Sequence, residues 1–116
     1  MSAMQMKVSK RGGISVVSMS GDLEIQEIDY FKKAVDKVLA AGDRPRAVLD
    51  LSGVTRMTSY VVALVGFYNA QFKQADGKFV VAGASAPAQR AFELSGLDKV
   101  VSLYASADEA VKAVKG

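Results

Sequence analysis

The 116-residue chain contains no cysteine and no histidine. The first absence removes disulfides and the thiolate nucleophile; the second removes the side chain that most often serves as a base near neutral pH. Together they take away nearly all zinc-ligand patterns and every Ser-His-Asp arrangement. Carboxylates alone would have to bind metal, and no acidic cluster has calcium-loop spacing, so neither a metal nor a cofactor is expected. Phosphate-binding glycine loops are missing too. Gly77-Lys78 is followed by Phe79, which has no hydroxyl for a magnesium ion, and Gly12-Gly13 and Gly83 fit no dinucleotide fingerprint. These gaps argue against an enzyme and leave a nucleotide or small-ligand sensor without a supporting loop.

Long apolar runs are also lacking. The longest clear one, Tyr60 to Tyr68, has nine residues, about half of the ~18 that a membrane-spanning helix needs. Met1 to Lys10 mixes polar and charged residues and has no apolar signal-peptide core, so a cytoplasmic protein is expected. Half of the residues are apolar and 23% are charged, ordinary values for a domain able to close one hydrophobic core. No linker, repeat or low-complexity tract divides residues 1–116, and one domain is expected. Fifteen basic residues against 12 acidic leave a net charge of +3. The basic residues are scattered, with only Lys10-Arg11 and Lys32-Lys33 adjacent, which reads as a mixed solvated surface rather than a nucleic-acid stripe.

What is present is a clear alternation of elements. Met4 to Lys10 alternates weakly and Ile14 to Met19 strongly, with Gly12-Gly13 between them as a hairpin turn. Gly21-Asp22 is expected to break the second strand. From Glu27 to Ala41, Ile28, Phe31, Val35, Val38 and Leu39 recur three or four apart, the pattern of an amphipathic helix, and Gly42 to Pro45 ends it. Ala47 to Leu51 reads as a buried strand closed by Ser52-Gly53. Ser59 to Ala75 is too long for a strand and places Val61, Leu64, Val65, Tyr68 and Phe72 on one helical face. Lys78 to Ala82 is a further strand. Ser85-Ala86-Pro87 starts a third helix that Gly96 ends. Val100-Val101 is expected to form a last short strand, and Ser106 with Glu109 forms the capping box of a final helix.

This order predicts an α/β fold: a mixed sheet of four to five strands, mostly parallel with an antiparallel first hairpin, and about four helices packed mainly on one face. Phe31, Val35, Leu64, Val65, Tyr68, Phe92 and Leu94 are expected to dominate its core. Thr58 and Ser59 stand where a buried helix begins. Either can cap the free N–H groups of that helix, contributing about 1 kcal/mol. Either can instead accept a phosphate, since the free donors and the positive dipole end suit an anion.

Three segments resemble the STAS family, the domain of bacterial anti-sigma-factor antagonists and of sulfate-transporter tails. Gly21-Asp22-Leu23-Glu24 is similar to its G-x-L-D segment. Ala47-Val48-Leu49-Asp50-Leu51-Ser52-Gly53-Val54 resembles its strand-and-turn signature, and Ala91 to Val100 resembles the ending of its third helix. The family's D-S-[ST]-G motif, whose first serine is phosphorylated by a partner kinase that doubles as an anti-sigma factor, falls on Thr58-Ser59-Tyr60-Val61. Only the serine is kept.

The resemblance implies an anti-sigma-factor antagonist acting by partner switching. Its protein partner would be a kinase-type anti-sigma factor, with Ser59 as phosphoacceptor and Thr58 second. Asp22, Glu24, Ser52, Arg56 and Tyr60 would join the contact surface, because the loops after the second and third strands should open at one edge. The altered motif also leaves room for a non-phosphorylated scaffold subunit of a stressosome-like or transporter complex.

Overall fold

The computed structural model describes residues 5–23 and 28–115. Strands β1 (Gln5–Arg11) and β2 (Ile14–Leu23) form the antiparallel hairpin, turning at Gly12 and Gly13, which both have positive φ. Helix α1 (Ile28–Ala40), β3 (Arg46–Met57), α2 (Ser59–Gln74), β4 (Lys78–Ala82), α3 (Ala86–Ser95), β5 (Leu103–Tyr104) and α4 (Ala107–Lys115) follow. The sheet order is β1-β2-β3-β4-β5, and every pairing after the first is parallel.

The sheet buries both faces. Val17, Met19, Leu49, Leu51, Phe79 and Val81 turn toward α1, α2 and α3, and meet Phe31, Val35, Val65, Phe72 and Phe92. Each large side chain removed from water in this layer contributes roughly 1.5–3 kcal/mol. On the opposite face Ile14, Val16, Val48 and Val80 are covered by Ala110, Val111 and Val114 of α4, with Tyr104 packed against them. Ser106 Oγ accepts from the Glu109 N–H at 3.2 Å, the forward half of the capping box, and Arg46 donates to the Val114 carbonyl at the other end of α4.

Three local expectations are corrected. Neither Gly21-Asp22 nor Ser52-Gly53 stops its strand: β2 runs on to Leu23 and β3 to Met57. Ser18 pairs with Asp50 but Ser20 with Gly53, so β3 carries an extra residue there, and a second shift follows between Gly21 and Asp22. Turn-type residues are thus absorbed as bulges, held because the two strands satisfy each other's backbone groups. A side chain at Gly53 would meet Ser20 Cβ at 2.6 Å, which accounts for glycine at this close approach. The last strand is Leu103–Tyr104, whereas Val100 and Val101 lie in a turn that buries Val101 and exposes Val100. Leu94 is 79% exposed and outside the core.

Candidate functional site at the junction of β3 and α2

Thr58 is the one residue between the end of β3 and the start of α2. Its backbone is extended (φ −84°, ψ 160°), and its Oγ1 accepts from the Val61 N–H at 3.3 Å. Its carbonyl takes the Val61 and Val62 N–H groups at 3.1 and 3.3 Å, starting the helical ladder. Thr58 is therefore the cap, and Ser59 is the first helical residue, exposed to solvent. The next three positions split by helical periodicity: Tyr60 is 46% exposed, while Val61 and Val62 are buried against the sheet. A buried turn thus anchors the start of α2 to the sheet and turns the Ser59 and Tyr60 side chains outward.

Two concavities flank this junction. A hollow of about 400 Å³ lies between the start of α2 and the start of α3, lined by Val54, Met57 and Thr58 on one side and by Ser85, Pro87 and Ala88 on the other. Ser85 caps α3 as Thr58 caps α2, accepting from the Ala88 N–H at 3.3 Å. On the other flank, Ser59, Val62 and Ala63 of α2 face Ala91 and Leu94 of α3 across an apolar groove of about 580 Å³. None of these lining residues carries a formal charge. A phosphate on Ser59 would bring roughly −1.5 to −2 charge between these two uncharged, partly apolar concavities, next to the positive end of the α2 dipole. Among the described residues no group of His, Cys, Asp or Glu could hold a metal ion.

The partner-contact candidates are only partly gathered. Asp22 and Arg56 stand opposite one another across β2 and β3, one register step from Leu23 and Met57. The ends of both strands therefore open at the edge where Thr58, Ser59 and Tyr60 lie. Glu24 lies outside the described residues. Ser52 is set apart, six residues before Thr58 along an extended strand, which places it roughly 20 Å away. It is exposed beside Gly83, alternates with the buried Leu51, and so belongs to the α4 side of the sheet. Leu94, which the core expectation absorbed, instead lines the groove beside Ser59. The signal was present in its spacing: two residues from buried Phe92 is roughly 200° around a helix, on the far side.

The family model described as Mlab, STAS domain, matches residues 6–103. The anti-sigma-F factor antagonist RsfB of Mycobacterium tuberculosis is 28% identical over 110 residues, 94% of this chain and 88% of that protein. A solved anti-sigma factor antagonist from Mycobacterium paratuberculosis is 30% identical with a TM-score of 0.80, covering 98% of this chain and 96% of its own. The phosphorylated form of the Bacillus cell fate determinant SpoIIAA shares the fold at 19% identity, with a TM-score of 0.73 and coverage of 97% and 99%. Five strands in this order, three helices on one face and a family match over most of the length lead to one conclusion: the chain belongs to the STAS family.

Proposed function

We propose that this protein is an anti-sigma-factor antagonist that works by partner switching. Unmodified, it binds a kinase-type anti-sigma factor through the rim formed by Thr58, Ser59 and Tyr60 together with the ends of β2 and β3. Phosphate on Ser59 ends that binding. The observation that carries the proposal is the division of labour between adjacent hydroxyls: Thr58 is engaged as the cap, leaving Ser59 exposed at the first helical position. The antagonist names of the mycobacterial relatives support the same reading. In the modification, Ser59 Oγ bonds to the γ-phosphorus of ATP held by the kinase. The bond to ADP breaks, and the hydroxyl proton passes to a base on the kinase. The added charge lies between two concavities whose lining residues carry no formal charge, and desolvating it against a partner there is costly. Ser59→Asp weakens binding to the cognate kinase at least tenfold by calorimetry, about 1.4 kcal/mol. Equal affinities for mutant and wild type would remove the switch.

A second reading, a scaffold subunit that is never phosphorylated, is favoured by one feature. Exposed Tyr60 stands where the family motif has a small hydroxyl residue, adding bulk where a kinase must approach the backbone, and buried Val61 replaces the motif's glycine. Mass spectrometry after incubation with the kinase and ATP separates the two. A gain of one phosphate on Ser59 supports the switch, and no gain supports the scaffold.

A further inference from the structure

Beyond the Ser59 junction, the molecule has a second built surface on the other flank of α1. Helix α1 turns Asp36 and the Lys32 carbonyl toward α2, where both accept from the Tyr68 hydroxyl. Its opposite flank turns toward β1 and leaves an open groove of about 620 Å³. Met6 and Val8 of β1 and Ala34 and Val38 of α1 form an apolar floor. Lys10, Lys33 and Lys37 form the rim, and among the described residues no carboxylate lines the groove. Val8 and Tyr30 remain 46% and 65% exposed there, apolar area that the fold leaves uncovered. Helical spacing puts Lys33 and Lys37 on one face of α1, and tertiary structure brings Lys10 of β1 to them.

The groove runs beside an open sheet edge. Among the described residues β1 pairs with β2 on one side only, so the outward backbone groups of Gln5–Arg11 have no strand partner. An added strand would satisfy those groups and direct every second side chain toward α1. A second copy of this chain is a poor occupant, because pairing two β1 edges would bring two sets of edge lysines together without carboxylates between them. A segment carrying both apolar and acidic residues meets the floor and the rim at once.

We propose that the groove between α1 and β1 docks an extended acidic and apolar segment of a partner protein, which adds to the sheet as a strand beside β1. The lysines that repel self-pairing then select the partner.

The probe is a fluorescein-labelled peptide of about ten residues in which every second position is valine or glutamate in turn and threonine fills the others, so that valine and glutamate face α1 together, with a lysine-for-glutamate peptide as control. Anisotropy should show binding of the glutamate peptide and none of the control. Amide exchange should slow along Gln5–Arg11 when the glutamate peptide is bound. Lys33→Glu with Lys37→Glu, both on the exposed side of α1, should weaken binding at least tenfold, and Lys10→Glu on the strand should lower it in the same direction. Ser59→Asp should leave it unchanged, which separates this surface from the proposed switch. Equal binding of the two peptides, no binding of the glutamate peptide, or binding without protection of β1 would overturn the proposal. So would displacement of the peptide by phosphatidylglycerol vesicles held through the same lysines, which would assign the groove to a membrane.

Discussion

Tyr68 of α2 donates its hydroxyl proton to Asp36 Oδ1 of α1 at 2.9 Å, from a ring buried between Phe31 and Phe79. This bond joins the helix that carries Ser59 to the helix that forms the lysine groove. Tyr68→Phe keeps the ring and removes the bond. Because Asp36 is exposed and regains water, the loss should be about 1 kcal/mol in chemical denaturation.

The same phenol gives a pH test. Burial first, and then the hydrogen bond and charge of Asp36, raise its pKa above the ordinary value of 10. Below pH 10 the phenol is protonated in folded and unfolded chains alike, and its contribution is fully present. Above that value the unfolded chain releases the proton while the folded chain keeps it, so stability falls as pH rises toward the folded pKa. Denaturation midpoints between about pH 9 and about pH 11 should drop more steeply for wild type than for Tyr68→Phe. Parallel slopes would trace the alkaline loss to other groups.

Leu64 and Leu94 are chemically identical and structurally opposite, at 8% and 79% exposure. Leu64→Ala should cost about 2–5 kcal/mol through lost burial and the cavity left beneath α2. Leu94→Ala should stay within about 0.5 kcal/mol, as surface substitutions do. A large destabilisation by Leu94→Ala would show that its groove is closed in the free protein.

Thr58 and Ser59 divide capping and exposure between them. Thr58→Ala should destabilise by about 1 kcal/mol, because the Val61 N–H loses its side-chain acceptor. Ser59→Ala should be within about 0.5 kcal/mol of wild type. The reverse order would make Ser59 the cap and withdraw it as an unengaged hydroxyl. Thermal denaturation of the two variants decides this.

The elements that followed from residue pattern are those whose signals are local. Lys78–Ala82 is the expected strand, and Ser85 and Gly96 bound α3 as their chemistry requires. The helix from Ser59 was legible because its apolar residues repeat at helical spacing. The extension of β2 and β3 through Gly21-Asp22 and Ser52-Gly53 was not, since each survives only by bonding to a strand that lies about thirty residues away in the chain. For the same reason the junction is a direct strand-to-helix corner with one residue between the elements, where a loop was expected.

Residue order and periodicity alone were enough for the alternating α/β topology, the start of α2 at a pair of hydroxyls, and the resemblance to the STAS family. They operate within one or two turns of chain, where caps, glycines and apolar repeats act. Folding in three dimensions settled which hydroxyl caps and which faces solvent, moved Ser52 to the other side of the sheet, and gathered Lys10, Lys33 and Lys37 around one groove. Those outcomes depend on contacts between distant segments, whose geometry is fixed by packing of the whole core and by register between strands.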